Sequence, residues 1–357
     1  MEGLERIRDW MKKRGYDAII LSRRDNYTWL TKGNTNHVVL NSETGIAALV
    51  IRESSVDIIA DSSDMARIAK EQNSLEGNPV LIPWYESREE FLADHLRKLK
   101  VVSDTGIAGT VNVQRELITL RMQLTKEEVA FYKTIGAECA AIVEQVCQEA
   151  TPGQSENEIA KRIKILCIEK GISPDCVLIG ADERILHYRH PMPTDKKLEK
   201  SLMCVLGGEK RGLNVSLTRM VYFTPVPKEL QEKYEKLQYL FANMQLMMKA
   251  GMLYSEYFNK VAALYEAAGF PEEWKLHHQG GPTGYGCREF IVKPSSNECI
   301  RAEQAYAWNP TITGVKCEET TFLGKEGLVT LTKTREWPRK TVATPYGDFD
   351  VADILKR

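Results

Sequence analysis

A capping box formed by Thr125 and Glu128 constrains this chain most strongly, because it opens a long helix that the Pro152-Gly153 pair ends. The chain has 357 residues, and at about 100–200 residues per domain this length predicts two domains. We place their boundary directly before the long helix. The sequence therefore predicts a first domain over residues 1–120 and a second over residues 121–357.

Short apolar runs alternate with helical stretches in the first domain, at 18–21, 45–51, 56–60, 79–83 and 106–109. This alternation predicts an α/β fold, in which helices pack on a sheet of mixed strand direction. In the second domain another capping box, Ser155 with Glu158, opens a further helix. Strands at 176–179, 203–207, 220–224, 305–309 and 320–323 and helices at 228–250 and 254–268 complete the pattern. It predicts an α+β domain.

Charge and hydropathy exclude several classes of protein. The formal charge is −1, from 48 basic and 49 acidic residues, so we expect no nucleic-acid partner. No apolar run approaches the length of a membrane span, and the charged start MEGLERIRDWMKKRG has no signal-peptide core. The eight cysteines include no pair at the short spacing of zinc or redox motifs. We therefore expect a cytoplasmic protein without a membrane partner.

Several short segments carry a family resemblance. In the second domain they are 185–188 (ILHY), 193–200 (PTDKKLEK) and 217–219 (LTR), and in the first 19–22 (IILS) and 26–31 (NYTWLT). In order and spacing they resemble the creatinase/prolidase/aminopeptidase P family, also described as M24-like peptidases. The resemblance implies an α/β N-terminal creatinase-type domain followed by an α+β pita-bread catalytic domain. It also implies a homodimer.

The metallopeptidases of this family bind two divalent cations through two Asp, one His and two Glu side chains. Two closely spaced cations need several anionic ligands to offset their charge. Matching the family pattern to this chain places Val205, Ser216, Gly281 and Asn309 at four of these five positions. Only the fifth is kept, as Glu318. We therefore expect neither a dinuclear metal centre nor another cofactor.

The remaining polar residues suggest a different site. The resemblance implies that His187 stands beside the scissile bond, where its imidazole would act as general acid and base while Glu318 holds the substrate. A structural role for His187 and an ion pair of Glu318 with Arg219 are the alternatives. The glycine-rich run 277–286 is suited to bind a polar ligand or to form a tight turn. The candidate substrate-binding residues are His277, His278, Tyr285, Arg288 and Glu319.

Three functions fit this pattern. The first is metal-independent, creatinase-like hydrolysis of an amide or amidine C–N bond in a small polar substrate. The second is a non-catalytic module that binds a peptide or protein. The third is an Xaa-Pro dipeptidase or aminopeptidase-like protein with a degenerate metal site. In each case we expect the partner to be a small molecule or a peptide.

Overall fold

The computed structural model describes residues 2–357, which form two compact units that divide between Met122 and Gln123. None of the described helices is long and apolar enough to cross a membrane. The elements of the first unit are α1 (Glu2–Arg14), β1 (Ala18–Arg23), α2 (Arg24–Leu30), β2 (Thr44–Arg52), β3 (Val56–Asp61), α3 (Met65–Glu71), β4 (Asn78–Ile82), α4 (Arg88–His95), β5 (Val101–Ser103), β6 (Val111–Asn112) and α5 (Gln114–Arg121).

The first unit is built on one six-stranded sheet with the strand order β4-β3-β2-β1-β5-β6. β1 pairs antiparallel with β2 and parallel with β5, which confirms the predicted α/β fold with a mixed sheet. The strand predicted at 106–109 is wrong. This segment is a short 3₁₀ turn, Ile107–Gly109, preceded by Gly106 at φ 84°, and the neighbouring strand is β5. The positive φ at Gly106 breaks an extended chain.

The second unit contains the remaining elements. They are α6 (Lys126–Glu149), α7 (Glu156–Glu169), β7 (Ser173–Ala181), α8 (Glu183–His187), β8 (Ser201–Lys210), β9 (Leu213–Tyr222), α9 (Lys228–Leu246), α10 (Tyr254–Ala267), β10 (Gly280–Thr283), β11 (Gln304–Trp308), β12 (Thr311–Ile312), β13 (Val315–Lys316), β14 (Glu319–Gly324), β15 (Gly327–Thr330), β16 (Arg339–Thr344), β17 (Gly347–Ala352) and β18 (Leu355–Lys356). The mixture of helices and largely antiparallel strands confirms the predicted α+β class.

Two four-stranded sheets organise this unit, with the orders β18-β9-β8-β7 and β10-β11-β14-β15. β9 meets the second sheet, because the Ser216 N–H donates to Thr320 Oγ1 (2.8 Å) and the Thr218 N–H donates to the Glu318 carbonyl (3.2 Å). Both strands are buried along most of their length at this junction. Residues of the two sheets therefore approach each other where β9 passes the start of β14.

Both predicted capping boxes are present. The Thr125 hydroxyl accepts a hydrogen bond from the Glu128 N–H (3.2 Å), and the Thr125 N–H donates to the Glu128 carboxylate (2.6 Å). Ser155 and Glu158 make the same pair of bonds at the start of α7. These bonds satisfy backbone donors that the first helical turn would leave unpaired.

Replacing Thr125 by Ala should lower the free energy of unfolding by about 1 kcal/mol, because the cap of α6 is lost. Thr134→Ala is a matched control in the same helix, since Thr134 is exposed and its described side-chain hydrogen bond is to the Ala130 carbonyl. Chemical denaturation of both variants measures the difference. Equal stabilities of the two variants would contradict a contribution of the cap.

Candidate functional site

The carboxylate of Glu318 is the centre of a buried charged cluster in the second unit. Its Oε2 accepts a hydrogen bond from Thr218 Oγ1 (2.7 Å) and lies 2.9 Å from the ammonium of Lys316. Its Oε1 accepts a hydrogen bond from Nη2 of Arg288 (3.0 Å). The side chains of Glu318 and Lys316 are each 3% exposed. Two cations therefore contact one carboxylate, almost without access to water.

The electrostatics of this cluster keep Glu318 ionised. Burial by itself raises the pKa of a carboxyl group, but the charges of Lys316 and Arg288 outweigh it and lower the pKa of Glu318 to about 2. With all three groups charged, the cluster carries one positive charge in excess. Such an excess is costly in a buried site unless a further anion or a strong acceptor offsets it.

Arg288 joins two of the five residues that the sequence matched to the metal positions of the metallopeptidases. Its Nη1 donates to Ser216 Oγ (2.9 Å) while its Nη2 holds Glu318. The guanidinium therefore occupies the space between these two side chains. The sequence predicted Arg288 as a substrate-binding residue, and in the structure it binds the chain's own carboxylate.

The other three positions are buried, two of them on strands and the third directly after one. Val205 pairs with Thr218 in the ladder between β8 and β9, and Asn309 directly follows β11. Gly281, in β10, has no room for a side chain, because a Cβ there would lie 2.4 Å from the Phe290 carbonyl oxygen. A histidine at this position would require the backbone to move.

These residues do not fit a pair of divalent cations. The one remaining carboxylate is already neutralised by an ammonium and a guanidinium, and a metal ion would have to displace both. Serine and asparagine offer only weak neutral ligands, and valine and glycine offer none. No step of a mechanism can therefore be assigned to a metal pair at these positions.

Three histidine side chains form a second cluster. His277 Nε2 lies 3.1 Å from His190 Nε2, and the ring of His278 stacks on that of His277 with centroids 4.5 Å apart. Burial and then the charge of Lys316 lower the pKa of His277 to about 2 and also lower the pKa of His190. Burial and then the charge of Arg288 lower the pKa of His278 to about 4. His277 and His278 are therefore neutral at pH 7.

His187 lies apart from these contacts. It is the last residue of α8, is exposed, and packs edge-on against the ring of Tyr188 with centroids 6.2 Å apart. Over residues 2–357 its side chain has no hydrogen bond or ion pair. Its role as general acid and base stays a prediction, and the oxygens of its expected partner Glu318 are bound by Lys316, Arg288 and Thr218.

Glu319 belongs to a different network, on the opposite side of the chain from Glu318. It is 1% exposed and pairs with Arg219 (3.2 Å) and Arg339 (3.1 Å), while Arg219 also contacts Glu144 (2.8 Å). The expected alternative of an ion pair between Glu318 and Arg219 is therefore wrong. Neighbouring residues of an extended chain point to opposite faces. Glu319, a candidate substrate-binding residue, makes its contacts with these structural cations.

Part of the glycine-rich run 277–286 forms a regular β-strand, which the sequence did not predict. Residues Gly280–Thr283 form β10, which pairs antiparallel with β11, so the alternative of a tight turn is wrong for these four residues. Tyr285 follows the strand, and its hydroxyl donates to Glu128 Oε1 (2.7 Å) at the start of α6. Its substrate-binding role stays a prediction.

Two residues of these clusters were missed from the sequence. Lys316 stands two positions before Glu318, and this spacing places both side chains on one face of an extended segment. This spacing could have identified Lys316 from the sequence. His190 lies three residues after His187, and nothing in the local pattern indicates which of the two histidines faces His277. His190 and His277 are 87 residues apart in the sequence, so only the packing of their two segments decides which histidine makes this contact.

Comparisons with known proteins agree with this architecture. The sequence pattern described as metallopeptidase family M24 matches residues 130–328, and that of the creatinase/prolidase N-terminal domain matches residues 4–149. An Xaa-Pro dipeptidase from Pyrococcus horikoshii is 20% identical over 93% of this chain and 97% of its own length.

Solved structures show the same fold. An Xaa-Pro dipeptidase from Bacillus anthracis superimposes with a TM-score of 0.80 at 17% identity, covering 100% of this chain and 99% of its own. An X-Pro aminopeptidase from Thermotoga maritima gives 0.73 at 15% identity, covering 99% of each chain. The two units of this chain therefore have the creatinase-type and pita-bread folds that the resemblance implied.

Glu318→Gln should strongly destabilise the protein, by about 3–5 kcal/mol, because it leaves Lys316 and Arg288 buried without their counter-charge. Glu326→Gln is the matched control, since Glu326 is exposed and its replacement should change stability by less than about 0.5 kcal/mol. Denaturant unfolding monitored by circular dichroism measures both. A Glu318→Gln variant as stable as this control would contradict the role of Glu318 as the buried counter-charge of Lys316 and Arg288.

The stability of the protein should fall as the pH decreases from about 6.5 to about 4, in part because of His278. In this range the unfolded chain protonates this histidine while the folded chain, with its pKa near 4, does not. Each such group contributes at most about 1.4 kcal/mol per pH unit. His278→Gln should therefore show a shallower fall. Above pH 7 the two proteins should have parallel profiles, and parallel profiles below pH 6.5 as well would contradict the prediction.

Proposed function

Because the chain belongs to metallopeptidase family M24, we propose that its second unit binds short peptides by a carboxylate group, at the buried cluster of Lys316 and Arg288. The cluster takes the place of the metal pair. Relatives of this chain are named Xaa-Pro dipeptidases, which supports a short peptide as ligand. The protein is then an Xaa-Pro peptidase-like member with a degenerate metal site.

The excess positive charge of the cluster carries this proposal. Lys316 has three N–H donors, and its described side-chain contact is the one with Glu318. Arg288 keeps a further donor, since its Nε is buried without a hydrogen-bond partner in the described structure. An incoming carboxylate would accept hydrogen bonds from both cations and neutralise the excess charge. Charge-assisted hydrogen bonds of this kind are stronger than hydrogen bonds between neutral groups.

The neighbouring histidines suit a bound peptide as hydrogen-bonding groups. His277 and His278 are neutral at pH 7 because burial and the nearby cations lower their pKa values. A neutral imidazole offers one donor and one acceptor, which match the amide and amine groups of a peptide. With pKa values near 2 and 4, these two residues cannot supply a proton to a leaving nitrogen at pH 7.

Metal-free hydrolysis has less support than peptide binding. It would need a side chain that titrates near neutral pH, placed against a substrate held by Glu318. His187 is exposed and makes no hydrogen bond or ion pair within the described chain, and both oxygens of Glu318 are occupied. Creatinase-like hydrolysis therefore stays a prediction from the sequence, to be tested with a His187→Ala variant on any substrate that is turned over.

The proposal is tested by calorimetric titration with the dipeptide Ala-Pro and with its C-terminal amide. We expect the free acid to bind at least about tenfold more tightly than the amide, because a charge-assisted hydrogen bond contributes about 1.5–3 kcal/mol. Lys316→Met should abolish this preference. Lys325→Met is the matched control, since Lys325 is exposed, and it should retain the preference.

Two outcomes would overturn the proposal. One is equal affinity for the acid and the amide, which would mean that the cluster does not recognise a carboxylate. The other is an unchanged preference in folded Lys316→Met. A parallel assay of Ala-Pro cleavage, with and without chelator, distinguishes binding from turnover. Chelator-sensitive cleavage with two metal ions per chain would contradict the degenerate metal site.

A further inference from the structure

We propose that His190, His277 and His278 bind one transition-metal ion, such as Zn²⁺, through their imidazole nitrogens. This site is separate from the positions at which the metallopeptidases hold their metal pair, because none of those five residues belongs to it. The proposal goes beyond peptide binding and does not depend on it.

The geometry of the three side chains is close to that of a metal site. Each offers one ring nitrogen, and the three nitrogens lie within 4.8 Å of one another. Around a tetrahedral Zn²⁺ with Zn–N bonds of about 2.0–2.1 Å, the ligand nitrogens lie roughly 3.4 Å apart. The Nε2 atoms of His277 and His190 are already 3.1 Å apart. His190 is exposed, so its side chain has room to rotate toward the other two.

Unpartnered nitrogen atoms provide independent support. Nδ1 of His277 and Nδ1 of His278 are buried and have no hydrogen-bond partner in the described structure. His277 as a residue is only 7% exposed. A buried polar atom without a partner is costly, and this cost is removed at an Nδ1 atom that itself ligates the metal ion.

The chemistry of the ligands indicates the class of metal. Imidazole nitrogens prefer Zn²⁺, Cu²⁺, Ni²⁺ and Co²⁺, whereas Mg²⁺, Ca²⁺ and Mn²⁺ prefer oxygen ligands. The exposed side of His190 gives a path for entry and leaves a fourth coordination position open. Lys316 and Arg288 repel a bare divalent cation, so an anion in the fourth position should strengthen binding. We therefore expect selectivity for the first group of metals and tighter binding in the presence of acetate.

The test is calorimetric titration of the chelator-treated full-length protein with ZnCl₂ in the absence of peptide. One equivalent should bind, and MgCl₂ at the same concentration should not compete. His190→Ala and His277→Gln should each weaken Zn²⁺ binding by at least about 100-fold, because each removes one of three ligands. His187→Ala is the matched control, since His187 is an exposed histidine three residues from His190, and it should bind Zn²⁺ with unchanged affinity.

Co²⁺ provides a spectroscopic measurement that a purely structural role of the histidines would not change. Its visible absorption should show a low-symmetry, four-coordinate ion in the wild-type protein and in Lys316→Met, and lose this signature in His190→Ala. Because Lys316→Met removes the proposed peptide site, loss of peptide binding and loss of metal binding are separate results. Absence of Zn²⁺ binding at micromolar concentration, or unchanged binding in His190→Ala, would overturn the inference. So would two equivalents of Zn²⁺ that depend on Glu318.

Discussion

The carboxylate of Glu318 holds together the region where the two sheets of the second unit meet. It binds Thr218 on β9, Lys316 at the end of β13 and Arg288 in the segment after β10. The next residue, Glu319, faces the other way and binds Arg219 and Arg339. Adjacent carboxylates thus anchor both faces of one segment. Each is buried, so each requires its cations, and the cations in turn require it.

This arrangement changes what the fold can do at its centre. A pair of metal ions acts as a Lewis acid and generates a nucleophile from bound water. An ammonium and a guanidinium supply positive charge and hydrogen-bond donors, but they do not lower the pKa of a bound water in that way. Positive charge and hydrogen-bond donors are what a bound carboxylate needs, and this is the basis of the proposed peptide binding. His277 and His278 remain neutral at pH 7 because burial and then these cations lower their pKa values.

Much of the architecture was predictable from local patterns. The two capping boxes, the α/β and α+β order and most of the predicted strands agree with the structure, because capping and alternation depend on residues close in sequence. The short strands, such as β12, β13 and β18, were not predicted. The four residue types matched to the family's metal positions were equally visible in the sequence. The segment 106–109 was wrongly predicted as a strand. It contains few apolar residues, and Gly106 adopts a positive φ that breaks an extended chain.

The sequence by itself determined which residue types stand at the positions matched to the family's metal ligands, namely Val205, Ser216, Gly281 and Asn309. Only the tertiary structure decided which side chains surround the carboxylate of Glu318 and which histidines contact one another. Lys316 and Arg288 meet at Glu318, and His190 rather than His187 meets His277, through contacts between segments far apart in the chain. Local patterns carry no information on such distances, because the packing of the sheets and their connecting segments sets them.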